Sequence, residues 1–157
     1  MTVSHDDKPD ELQRALARSD ARKMCQQIDA YADYYAKGAG DWPDDSSDDL
    51  SEITTCAWDN PEKALSYVVL AAARSDDPEF LGFMACGPLE DLLDGPSPQL
   101  LDRIVGEAGR SARFRWLLSH PFKIAIAERA WEAIREFRST GQHEEPLDDT
   151  LPPKELN

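Results

Sequence analysis

Apolar positions along this chain recur every three or four residues and never alternate with polar ones for long enough to form a strand, so the pattern predicts helices throughout. The first helix opens at Pro9-Asp10-Glu11, with apolar positions at Leu12 and Leu16. The spacing resumes at Met24, Ile28, Tyr31 and Tyr35, Ser19-Asp20 offers a split into two helices, and Gly38 and Gly40 follow the last turn. A short helix is expected through Leu50, Ile53, Ala57 and Trp58. Three later helices each begin with a capping residue and proline: Asn60-Pro61, Asp77-Pro78 and Ser97-Pro98. Asn, Asp and Ser accept bonds from first-turn N–H groups, and proline loses nothing at the first helical position. His120-Pro121 is a version with a poorer cap, predicted to open a last helix over 121–138 that buries Phe122, Ile126, Ala130, Trp131, Ile134 and Phe137. The helix after Asn60 is apolar nearly all round from Ala64 to Ala73 and is expected at the centre. Leu100, Leu101, Ile104, Val105 and Ala108 share a face of the next long helix, and another begins near Ser111 with Phe114, Trp116, Leu117 and Leu118.

These elements predict an all-α fold of six to seven helices packed as antiparallel hairpins, a HEAT-like orthogonal or solenoid-like bundle. Trp58, Trp116 and Trp131 are expected in or against its core. Residues 1–8 read as a flexible N-terminus, 9–139 as a single helical domain and 140–157 as an acidic, proline-containing tail. The length of 157 residues suits one domain with a proper core. No apolar run is long enough to cross a membrane.

Charge sharpens this picture. The net charge is −14, carried at the two ends: residues 1–60 hold 14 acids and 6 bases, 61–139 hold 12 and 10, and 140–157 hold 5 and 1. Such a chain opposes nucleic acid and anionic membrane surfaces, and favours fast association with a partner protein that has a basic surface. Cys25, Cys56 and Cys86 form no CxxC pair, which with the absence of a signal peptide points to a reducing cytoplasm.

The densest acidity lies at Asp41, Asp44, Asp45, Asp48 and Asp49, around Trp42. A calcium loop would need alternating ligands, a turn glycine and a glutamate at position twelve, and the spacing here fails all three. Asp48 or Asp49 is instead expected to cap the following helix, while Trp42 and the remaining acids are candidate interaction residues.

Candidate chemistry concentrates at Cys86-Gly87-Pro88-Leu89-Glu90-Asp91-Leu92-Leu93. Gly87 and Pro88 read as a helix break and restart, with Glu90 near the third helical position, placed for capping or for an arginine among Arg110, Arg113 and Arg115. Adjacent carboxylates on a helix diverge by about 100° and do not share a ligand, which disfavours Glu90 and Asp91 as an acid–base pair. Cys86 is expected as a buried, inert thiol. His120 sits at a helix junction with a structural bond, and His5 and His143 are isolated. Arg110, Arg113 and Arg115 flank Phe114 and Trp116, a pattern read as internal pairing rather than RNA contact. No zinc, nucleophile-elbow or phosphate-loop motif is present, so no metal, cofactor or enzymatic activity is expected.

The run from Trp58 to Glu136 resembles an uncharacterised family of small all-helical bacterial proteins. The resemblance rests on Trp58, on Asp59-Asn60-Pro61-Glu62 opening an apolar helix, on Gly87-Pro88-Leu89-Glu90-Asp91-Leu92-Leu93, and on Glu107-Ala108 through Phe114-Arg115. It implies the fold and leaves activity open. The expected function is a non-enzymatic interaction module, an immunity- or antitoxin-like inhibitor of a basic partner. The alternatives are an acidic mimic of nucleic acid that blocks a DNA-binding enzyme, and an enzyme using Glu90, Asp91 or a cysteine.

Overall fold

The computed structural model describes residues 10–37, 47–140 and 151–154, with side chains in the third helix from Glu52 onward. The expected flexible N-terminus and most of the acidic tail lie outside the described residues. Within them the chain is all-α, with no strand.

The segments run α1 (Glu11–Leu16), α2 (Ala21–Ala36), α3 (Ser47–Asp59), α4 (Pro61–Arg74), α5 (Pro78–Met84), a π-helical turn (Ala85–Leu89), α6 (Glu90–Leu93), α7 (Pro98–Arg110), α8 (Ala112–Leu118), a 3-10 turn (Lys123–Ala125), α9 (Glu128–Ile134) and a final 3-10 turn (Arg135–Phe137). Capping fixes their starts as the sequence predicts. Asn60, Asp77, Ser97 and Ser111 accept from the N–H groups of Lys63, Glu79, Leu100 and Phe114, at 3.2, 3.0, 3.1 and 3.1 Å. Asp10 does the same for α1 through Gln13 N–H at 2.7 Å, and the split at Ser19-Asp20 is real.

Helix α4 is the centre of the core. Every residue from Ala64 to Ala72 is buried, and α1, α2, α3, the π-helical turn and α8 all pack on it. Leu65, Tyr67, Leu70, Phe80, Phe114, Met24 and Ile28 are among the fully buried side chains, each contributing roughly 1.5–3 kcal/mol by leaving water. Tyr31 packs edge-on to Phe80 and Phe83 at 5.7 and 5.2 Å between ring centroids, which joins α2 to α5. Arg103 on α7 grips the buried carboxylate of Glu11 with two bonds of 2.8 and 2.7 Å and also pairs with Glu62, tying α1 and α4 to α7. At the junction of α2, α3 and α4, Lys63 pairs with Glu52 and lies 3.4 Å from Asp20. Gln27 donates to Glu52 at 3.0 Å and accepts from the Tyr67 hydroxyl. Lys63 holds Glu52 below the usual carboxylate range, and Arg18 does so for Asp20.

Four expectations are corrected. Gly87-Pro88 does not break the helix, since α5, the π-helical turn and α6 follow one another without leaving helical geometry and Pro88 sits inside. An α-helical turn would press the proline ring against the carbonyl four residues back. The wider π turn, which bonds five residues back, relieves that clash and tolerates the missing N–H. Cys86 is exposed rather than buried, because Ala85 and Leu89 take the inward face of that turn.

Trp58 is 64% exposed and does not join the core. The buried stripe of α3 is Ile53, Cys56 and Ala57, and Trp58 falls one residue beyond it in the last turn. Trp116 is buried and Trp131 half-buried, packed against the core.

The expected helix over 121–138 is fragmented, and α9 begins only at Glu128. The Phe122 N–H donates to the Glu90 carboxylate and the Ala127 N–H to the Leu93 carbonyl, both at 3.0 Å. Tertiary partners thus hold the backbone at both ends of 122–127, and both residues adopt extended geometry. Phe122 is 62% exposed in consequence, and Phe137 is half-buried.

Candidate functional site

The segment that carries the sequence motif is a clamp. Its Glu90 carboxylate and Leu93 carbonyl fix the 122–127 turn, on which Ile124 stands 96% exposed. Glu90 therefore pairs with a backbone N–H and with none of the three arginines. Arg110 pairs with Glu107 at 3.2 Å, Arg115 donates to the Ala108 carbonyl at 2.9 Å, and Arg113 serves a different place. Burial, and then the neighbouring Glu90 and Asp94, push the Asp91 carboxyl up. The Cys86 thiol donates to the His120 carbonyl at 3.8 Å. The His120 Nδ1 lies 3.0 Å from the Trp116 carbonyl, the structural bond expected of it. Its ring packs over Gly82, where a Cβ would stand 3.6 Å away in ordinary contact.

Arg113 is a buried hub, 4% exposed, on the first turn of α8. Nη1 donates to the carbonyls of Ala72 and Ser75, both at 2.6 Å, where α4 ends. Nη2 pairs with Asp76, and Nε donates to the Pro152 carbonyl at 2.8 Å. The guanidinium plane meets these four acceptors in different directions, a task the rigid fork of arginine performs and a single ammonium does not.

Beside this hub an open groove of about 510 Å³ runs between α2 and the α4–α5 connection. Its lining is apolar at Ile28, Ala32 and Ala36 and acidic at Asp29, Asp33, Asp76 and Asp77. Arg74 grips Asp29 with two bonds of 2.9 and 2.6 Å and holds its carboxyl below the usual range. Lys37 lies 2.8 Å from Asp33, Asp77 caps α5, and Lys154 lies 3.3 Å from Asp76. Asp76 is itself lowered, first by the Arg113 bond and then by Lys154. All these pairs except that of Arg113 are solvent-exposed and so weakly held and open to exchange.

A smaller cleft of about 150 Å³ lies among α1, α4, α7 and α8, over Leu12, Val69, Ala72, Ala73 and Phe114. Its polar side is structural. The Glu107 carboxyl, pushed up by burial, is bonded by Arg110 and by the backbone N–H of Glu11 at the start of α1.

Of the candidate interaction residues, Asp41, Trp42, Asp44 and Asp45 lie outside the described residues. Asp48 and Asp49 fall in the first turn of α3, which begins at Ser47, and their side chains are outside the description. The structure instead brings together Asp29, Asp33, Asp76 and Asp77, none of them singled out as an interaction site from the sequence. A signal existed in the i, i+4 pair Asp29/Asp33 on the polar face of α2, and in the Asp76-Asp77 doublet, read only for the cap at Asp77. Among the described residues no group of three or more His, Cys, Asp or Glu side chains is placed to hold a metal ion, and no helix is long and apolar enough to cross a membrane.

No curated protein and no solved structure matches the chain. A family model does, over residues 42–142, taking in everything from α3 to the end of the helical body and leaving Asp29, Asp33 and Lys154 of the groove outside it. By that match, which covers well over half its length, the chain belongs to the family of unknown function DUF6869.

Proposed function

We propose that this chain is a non-enzymatic interaction module that binds a basic protein, in the manner of an immunity or antitoxin-type inhibitor. The observation that carries this reading is the open groove walled by Asp29, Asp33, Asp76 and Asp77. It is too open to enclose a small molecule, and Asp29, Asp33 and Asp76 sit in ion pairs that a partner's lysines and arginines can replace. One wall is α2, which leads in sequence toward the acids at 41–49. A net charge of −14 adds long-range attraction for such a partner. The free thiols of Cys25, Cys56 and Cys86 support a reducing, cytoplasmic setting. The nucleic-acid-mimic alternative needs a phosphate-like row of acids, and the groove's aspartates, each tied to a cation or a cap, support it less.

Capture from the native host at low and at high salt tests the reading. A basic protein retained at about 50 mM salt and released by about 500 mM is expected, since exposed charge pairs are screened over that range. Replacement of Asp29, Asp33 and Asp77 by asparagine should abolish retention. A partner unaffected by the triple replacement, or no partner at either salt, overturns it.

A further inference from the structure

The contacts of residues 151–154 carry the reading of the groove one step further. We infer that Arg113 and Asp76, where the hub meets the groove, form an acceptor for an extended, lysine-bearing segment, occupied here by the chain's own Leu151–Lys154, and that a basic segment of the partner displaces it. The inference rests on the proposed binding of a basic protein and adds where that partner engages and what it must remove.

Three contacts each read one feature of the bound segment. Leu151 packs against the hydrophobic core. The Pro152 carbonyl accepts from Arg113 Nε at 2.8 Å. The Lys154 ammonium lies 3.3 Å from Asp76 Oδ2. The acceptor is held by bonds of its own: Arg113 is fixed by the carbonyls of Ala72 and Ser75, and Asp76 by Arg113. The segment adopts no helix or strand, and its two prolines restrict it to extended conformations, so little chain entropy is lost when such a sequence docks. The backbone contact is made through a carbonyl, the one main-chain group proline retains.

The occupant is a weak match for the rest of the groove. The residue after Lys154 is Glu155, whereas the remaining acids of the groove are Asp29, Asp33 and Asp77. A partner that offers the same Leu-Pro-Pro-Lys pattern within a run of lysine or arginine brings further cations for those acids, where the chain's own sequence brings Glu155. The C-terminal segment is therefore a competitor in cis, strong enough to cover the acceptor and weak enough to yield.

A fluorescein-labelled peptide of residues 150–157 carrying Glu155→Lys is the probe, titrated into full-length protein and read by polarisation. The wild-type chain should bind it weakly. A full-length variant with Leu151→Ser and Lys154→Glu, which loosens the cis segment, should bind it about tenfold more tightly, and adding Asp76→Asn should remove that gain. The unsubstituted peptide should bind the loosened variant about fivefold more weakly, the size of one exposed ion pair. A loosened variant that keeps its helical melt and shows no gain overturns the inference. If the double variant loses its fold, Lys154→Glu alone decides: a gain of about threefold supports the inference and no gain overturns it. The two readings fail separately. A captured basic protein that binds wild-type and loosened chains equally overturns the cis competition alone, and peptide binding without any captured basic protein overturns the proposed function alone.

Discussion

Arg113 shows how much one side chain can hold. Its guanidinium satisfies two buried carbonyls at the end of α4, an aspartate of the groove and the C-terminal segment. Arg113→Met keeps the volume and removes every bond, leaving the Ala72 and Ser75 carbonyls without that partner. Urea unfolding should show a loss of about 2–4 kcal/mol, with Arg113→Lys recovering only part. The cysteines differ for an equally local reason. Burial pushes the Cys56 thiol up, whereas Cys86 stands exposed on the π-helical turn. Alkylation with iodoacetamide at pH 8 followed by mass spectrometry should label Cys86 first, Cys25 more slowly and Cys56 only on unfolding. A Cys56 adduct formed at the rate of Cys86 would contradict this account. The sequence alone put Cys86 next to Phe83, Met84 and Ala85 and read it as buried from those apolar neighbours, which do not show which face of the helix it takes.

The wider turn at Gly87-Pro88 carries the lesson at the scale of elements. Helix starts were legible, since Asn60-Pro61, Asp77-Pro78, Ser97-Pro98 and Ser111 carry their signal within four residues. The stretch from Gly87 to Pro88 carries the same residue types as a break. Whether a proline ends a helix or is absorbed by a wider turn depends on what the next turn buries, here Leu92 and Leu93. The 121–138 stretch misled for a related reason: its apolar spacing is helical, but Glu90 and Leu93, some thirty residues earlier, take its N–H groups. The groove escaped the sequence because two of its aspartates lie on α2 and the other two on the α4–α5 connection, more than forty residues later. Only the packing of α2 beside the α4–α5 connection brings them together. The π-helical turn itself is testable. Deleting Gly87 should let the segment close to an α-helix, which keeps α6 in register but presses the Pro88 ring against the carbonyl four residues back. A loss of about 3 kcal/mol is expected in thermal and urea melts. Wild-type stability after the deletion would show that the extra residue sets nothing.

For the whole molecule, the pH dependence of stability combines opposing groups. Asp20, Asp29 and Glu52 have folded pKa values held down by Arg18, Arg74 and Lys63, so their contribution is present above about pH 4 and lost as pH falls below it. Glu107 and Asp91 are pushed up by burial, so the cost of keeping them ionised is relieved as pH falls through their folded values. Burial also raises the phenols of Tyr31 and Tyr67. The unfolded chain then loses those protons first, and stability declines above about pH 10. With the net charge of −14 relaxing on mild acidification, urea midpoints should be at least as high at pH 5.5 as at pH 7.5, and should fall below pH 4 and above pH 10. A midpoint that rises steadily from pH 5 to pH 9 would contradict this balance.

The grip of Arg103 on Glu11 has a consequence for how the chain is made. The two residues are 92 positions apart, and the same guanidinium holds Glu62. At synthesis rates of about 5–20 residues per second, α1 is complete roughly 5–20 s before Arg103 is joined to the chain. During that interval its face toward α7 is a sticky surface on a nascent polypeptide, so α1, made long before α7, is among the last of the described helices to be locked.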